Sequence, residues 1–124
     1  MEKRKLGKYG AEVSPIGVGA MSFSNFYGPT NEKESHKILT EALDQDISHI
    51  DTANVYGAGA SEAAIGSFLA KQGSQRNTLF SIATKVGIKG NIQTCKTKFA
   101  NSPEYLKKEL DSSLKRLQVD RLDL

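Results

Sequence analysis

The chain has 124 residues, 38% of them hydrophobic and 25% charged, a balance that fits one soluble globular domain and excludes a disordered or fibrous chain. The 17 Lys and Arg stand against 14 Asp and Glu and are scattered, so the formal charge of +3 offers none of the concentrated basic surface that nucleic-acid binding needs. Cys95 is the only cysteine, which rules out an internal disulfide and suits a reducing compartment.

The N-terminal stretch "MEKRKLGKYG" is charged with no apolar segment behind it, and no run approaches the roughly 18 apolar residues of a membrane span. No signal peptide and no membrane partner are expected, and the expected address is the cytoplasm. Extended runs near Lys3 to Leu6 and Glu12 to Ser14 flank "GKYG" and predict a small N-terminal β-hairpin. An alternation follows. "PIGVGAM" predicts a strand. Asn31 and Glu34 form a capping box for a helix that carries Ser35, Ile38, Leu39, Ala42 and Leu43 at helical spacing. "ISHIDTA" is the second strand; Ser61 opens a second helix with Ile65, Phe68 and Leu69 on one face; "LFSIATKVG" is the third strand. Val86 to Asn101 is a polar segment without periodicity, expected either to line a substrate pocket or to be disordered. Ser102, Pro103 and Glu104 start a third helix whose buried stripe is Leu106, Leu110, Ser113, Leu114 and Leu117, and "DRLDL" then reads as the start of a fourth strand.

Strands alternating with helices imply an α/β fold of parallel strands joined by right-handed crossovers. The strand ends near Gly19, Asp51, Lys85 and Leu124 recur at roughly 35-residue intervals, and eight such units would need roughly 280 residues, close to a (β/α)8 TIM barrel. Residues 1–124 are therefore read as the N-terminal part of such a barrel: the hairpin, three βα units and the start of a fourth strand, truncated there. The alternative is a small open sheet with helices on one or both faces.

A carboxylate ending an apolar strand needs a cation, because an unpaired buried charge is costly. Asp51 in "HIDTA" and Lys85 in "ATKVG" both end strands, and parallel strand ends open on one face, where barrel enzymes build their sites. If the two strands are neighbours, Lys85 is that cation, and Tyr56, on the loop leaving the same strand end, can reach the pair. A lysine beside a phenol stabilises the phenolate, so the trio suits protonation of a carbonyl oxygen as hydride reaches the carbon. An Asp and Lys so placed can equally be a structural ion pair and a tyrosine a packing aromatic, and spacing alone leaves both readings open. Gly17, Gly19, Gly57 and Gly59 lack the third glycine of a dinucleotide fingerprint, with Ser22 and Glu62 in its place, and read as tight turns. Ser61 and Glu62 read as the helix start, His49 as a core histidine and His36 as solvated; two histidines and one cysteine far apart make no metal site.

The run "HIDTANVYGAGASEAAIG", followed by "IATKVG" and "LKKELDSSLKRLQVDRLDL", resembles the aldo-keto reductase family in order and spacing. "GAMSFSNFYGPTNEKES" resembles the branch of that family with a "YGP" loop before the first helix. The resemblance covers essentially the whole chain. It implies a (β/α)8 barrel that binds NADPH in extended form at the strand C-termini and reduces aldehydes or ketones to alcohols. The family's tyrosine acid then falls on Tyr56, its lysine on Lys85 and its aspartate on Asp51, with cofactor contacts at Ala20, Met21 and Asp51. The family's catalytic histidine and its nicotinamide-stacking and adenosine-phosphate contacts fall beyond Leu124. Asp46 stands where members usually have glycine. The rival reading is an inactive fragment, or a non-enzymatic cofactor-sensing or interaction module, self-associating through unpaired strand edges.

Overall fold

The computed structural model describes residues 1–124. A two-stranded antiparallel hairpin, β1 (Arg4–Lys5) and β2 (Glu12–Val13), precedes a parallel sheet of β3 (Val18–Gly19), β4 (His49–Asp51) and β5 (Ser81–Ala83) in that spatial order. Helix α1 (Glu32–Asp44) connects β3 to β4 and α2 (Ala60–Ala70) connects β4 to β5. A second antiparallel hairpin, β6 (Ile88–Asn91) and β7 (Lys96–Phe99), leads to α3 (Pro103–Leu117). Leu39, Ile50, Ile65, Leu69, Phe80, Ile82 and Leu117 join helices and sheet in one apolar core. The apolar spacing along α1 and α3 brings one face of each to this core, whereas α2 is buried on nearly all sides between them.

Local sequence rules set the helix ends. The Asn31 side chain accepts from the Glu34 amide at 3.0 Å and the Ser102 side chain from the Tyr105 amide at 3.3 Å, satisfying donors with no partner inside the helix. Helix α1 closes with Asp46 at φ 58, its amide donating to the Leu43 carbonyl and the Ile47 amide to that of Ala42. This is the six-to-one closure that favours glycine at the left-handed position. Asp46→Gly is therefore expected to stabilise the chain by about 0.5–1 kcal/mol. The nearby N-terminal ammonium, 3.8 Å from the exposed Asp46 carboxylate, offsets little of this. Urea unfolding checks it, and an unchanged midpoint would contradict it.

The structure corrects several expectations. The strand expected over "PIGVGAM" is only Val18–Gly19, because Ala20–Ser24 turns into a 3-10 helix, in which the Ser24 hydroxyl bonds back to the Met21 carbonyl at 2.6 Å. The segment 86–101 is the β6–β7 hairpin. Gly87 and Gly90 take positive φ, and the Asn91 side chain caps the Gln93 and Thr94 amides across the turn. Both strands are exposed throughout, so no alternation of apolar and polar residues announces them. Leu110 is 43% exposed, outside the stripe expected to be buried. Helix α3 buries Ser113 and Leu117, and Gly66 of α2 lies against the Arg116 carbonyl, too close for any Cβ.

"DRLDL" forms no regular strand, but it runs beside β5. The Asp123 and Leu124 amides donate to the Ile82 carbonyl and the Thr84 amide donates to the Leu124 carbonyl. The Asp123 carboxylate takes the Ile82 amide at 3.0 Å, where a strand backbone would otherwise offer a carbonyl. His36 is not solvated: its Nε2 lies 3.0 Å from the Ala64 carbonyl and 2.9 Å from Ser67 Oγ, with the ring edge-on to Phe68 where α1 meets α2. His49 is half-buried, with Nδ1 3.1 Å from the Ser81 carbonyl.

Candidate active site

The register of β4 against β5 pairs His49 with Ser81, Ile50 with Ile82 and Asp51 with Ala83. Pairing continues past the strands, with the Thr52 amide on the Ala83 carbonyl and the Asn54 amide on the Lys85 carbonyl. Asp51 and Lys85 therefore leave adjacent strands at the same end of the sheet. Tyr56 follows on the 3-10 turn Tyr56–Gly59, in which Gly57, Ala58 and Gly59 all have positive φ. That turn carries the chain from the strand end into α2, so the tyrosine returns over the sheet edge instead of pointing away.

Lys85 Nζ donates to Asp51 Oδ2 at 2.6 Å, to the Thr52 carbonyl at 2.8 Å and to the Tyr56 hydroxyl at 3.3 Å. It also lies 5.1 Å from the centre of the Tyr56 ring. The three residues singled out from the sequence are thus brought to one point, and the cation missing beside Asp51 is Lys85. The pair is open to solvent, with the lysine side chain 50% and the aspartate 46% exposed. A small cleft lined by Val55, Tyr56, Lys85, Val86 and Ile88 adjoins it.

Partial burial alone would lower the Lys85 pKa, but hydrogen bonds to Asp51 and Tyr56, and then the attraction of both groups, outweigh it and hold the value above that of an ordinary lysine. A lysine whose pKa is higher folded than unfolded lends stability that is complete below the unfolded value and lost as pH rises through the folded one. The stability difference between the parent chain and Lys85→Met is accordingly expected to stay level between about pH 6 and pH 9 and to shrink above about pH 10.5. Urea midpoints of both proteins across that range test it; a difference that shrinks near neutrality would contradict the assignment.

The other carried-over positions lie at the exit of β3. Ala20 is fully buried and its carbonyl accepts from the Ser61 hydroxyl at 2.7 Å, while the Met21 carbonyl accepts from Ser24. Ser61 lies at the start of α2, one residue after Ala60, and its buried hydroxyl also meets Thr52 Oγ1 at 2.9 Å, tying the exits of β3 and β4 together. Sequence reasoning also missed Glu62, which is fully buried rather than a plain helix-start residue. It pairs with Arg116 of α3 and accepts a hydrogen bond from Thr84. The available signal was a single carboxylate inside the apolar run "ASEAAIGSFLA", which had to find a cation somewhere.

Residues 15–124 match the model of the aldo/keto reductase family. The chain belongs to that family. It is 40% identical over 121 residues to an NADP(+) aldo-keto reductase of Schizosaccharomyces pombe, covering 98% of this chain and 34% of that protein. It is 35% identical over 125 residues to an aldo-keto reductase of Bacillus subtilis, covering 100% of this chain and 37% of that protein. Among solved structures, an aldo-keto reductase from Bacillus halodurans in its holo form superposes with a TM-score of 0.82 at 33% identity, over 98% of this chain and 38% of that one. The chain thus spans little more than a third of the length of these aldo-keto reductases, and its α/β sheet corresponds to part of their TIM barrel. That correspondence favours the barrel over the small open sheet.

Proposed function

We propose that this chain carries the proton-transfer residues of an NADPH-dependent oxidoreductase that reduces aldehyde or ketone carbonyls to alcohols. The observation that carries the reading is the Lys85 ammonium hydrogen-bonded at once to Asp51 and to the Tyr56 hydroxyl on the open strand-end face. When bound, the nicotinamide cofactor supplies the hydride. Tyr56 gives its hydroxyl proton to the carbonyl oxygen as the carbon accepts the hydride, so the carbonyl becomes an alcohol and the phenol a phenolate. Lys85 stabilises that phenolate by charge, and Asp51 and the Thr52 carbonyl fix the ammonium where it can do so. Proton uptake from solvent restores the phenol.

The residues present suit such a cofactor. Gly19 ends β3 facing open space, with nothing within 4 Å of where a Cβ would lie, and Asp51 and Lys85 are half-exposed beside it. Asp51 and the half-buried Met21 would hold the cofactor across these strand ends, whereas Ala20 is fully buried with its carbonyl already bonded to Ser61 and would only support them from beneath. The choice of NADPH follows the Schizosaccharomyces pombe relative, whose name carries NADP(+). We read residues 1–124 as a single reductase domain fragment, with the fourth barrel strand starting in "DRLDL", acting in the cytoplasm on a small-molecule carbonyl.

The test joins this chain to the C-terminal remainder of the Schizosaccharomyces pombe relative. NADPH binding by that chimaera is followed by fluorescence, and NADPH consumption with a panel of aldehydes and ketones by absorbance. Binding with turnover is expected. Binding without turnover of any carbonyl would favour the cofactor-sensing module instead.

A further inference from the structure

Glu62 is the only charged residue of α2 and is fully buried in its first turn. Its two oxygens are divided between two directions. Oε2 accepts from Arg116 Nε at 2.6 Å, and Oε1 accepts from Thr84 Oγ1 at 2.6 Å. Thr84 is the residue immediately before Lys85. Arg116 in turn lies against Gly59, where a Cβ would come within 2.6 Å of Arg116 Cδ, and Gly59 ends the turn that Tyr56 begins. The carboxylate therefore grips the strand end that presents Lys85, and its guanidinium partner braces the far end of the turn that presents Tyr56.

No step of the proton transfer uses this pair. A buried ion pair is weak evidence for stability by itself, because desolvation offsets much of its attraction, whereas its fixed geometry constrains whatever it touches. We propose that Glu62 and Arg116 are positioning residues that set the approach of Lys85 to Tyr56, through Thr84 on one side and Gly59 on the other. The catalytic consequence rests on the reductase reading above; the geometric claim does not.

Thr84 gives the cleanest test, because Thr84→Val removes the hydroxyl at nearly constant volume and Thr84→Ser keeps it. Two readouts are needed. In the chimaera with isotope-labelled lysine, exchange of the Lys85 ammonium protons with water is measured by NMR at neutral pH. In the chimaera, kcat and KM for carbonyl reduction are measured. Thr84→Val is expected to speed ammonium exchange several-fold, because the donors no longer sit squarely on Asp51 and Tyr56. It is also expected to lower kcat about tenfold with KM for NADPH little changed, as displacement of a reacting group by a fraction of an ångström would do. Thr84→Ser should restore both. A folded Thr84→Val protein with parental exchange and parental kcat would overturn the proposal. Should that variant fail to fold, Arg116→Lys, which keeps the charge but loses the Nε–H that reaches Glu62, decides by the same two readouts. If the unmutated chimaera reduces no carbonyl, the reductase reading falls, and lysine exchange alone judges the clamp.

Discussion

Replacing Tyr56 by phenylalanine in the chimaera is expected to lower carbonyl reduction by about 100-fold or more, while the affinity for NADPH changes little. The substitution removes one oxygen and keeps the ring. Lys85 retains its bonds to Asp51 and to the Thr52 carbonyl, so the cation stays where it is and the strand-end face keeps its charge. What disappears is the proton donor, which matters only as charge develops on the carbonyl oxygen. The loss should therefore appear in kcat and in kcat/KM together rather than in cofactor binding. Steady-state kinetics and NADPH titration on the same preparation give both numbers. Near-normal turnover by Tyr56→Phe would remove Tyr56 from the mechanism and return it to the role of a packing aromatic.

The second large effect concerns the 124 residues on their own. The family resemblance places a catalytic histidine and the nicotinamide-stacking and adenosine-phosphate contacts outside them. Orientation of the reactants supplies much of an enzyme's advantage, and a cofactor held by a few backbone groups and one aspartate would seldom present its hydride to a substrate beside Tyr56. We therefore expect no measurable NADPH-dependent reduction and only weak NADPH binding by the isolated chain, with both appearing in the chimaera. The isolated chain should also self-associate. β3 has a neighbour on one side only, and an open groove lined by Val18, Ile38, Ala42 and Ile47 lies beside that free edge. Unpaired strand edges and uncovered apolar faces invite pairing with other chains. Sedimentation and an NADPH-coupled assay on the purified chain test these expectations together. A compact monomer with micromolar NADPH binding and steady turnover would overturn them.

The sequence by itself determined the order of the first hairpin, the three parallel strands and the three helices, the caps at Asn31 and Ser102, and the placement of Asp51 and Lys85 at strand ends with Tyr56 on the loop between. Each of these follows from interactions a few residues long: apolar spacing, an amide seeking a side-chain acceptor, a helix that must stop. The meeting of the three site residues needed one assumption from outside that range, that the second and third strands are neighbours, and the parallel register of β4 on β5 supplies it. What only the tertiary structure decided is where distant polar groups found their partners. Glu62 and His36 sit on helices whose local pattern says nothing of Arg116, Thr84, Ala64 or Ser67. Leu110 has the right spacing for the core, yet the packing of α3 leaves it exposed. The β6–β7 hairpin was illegible for the opposite reason, because a strand pair with no buried face has no hydrophobic period and is held mainly by backbone bonds and an asparagine cap.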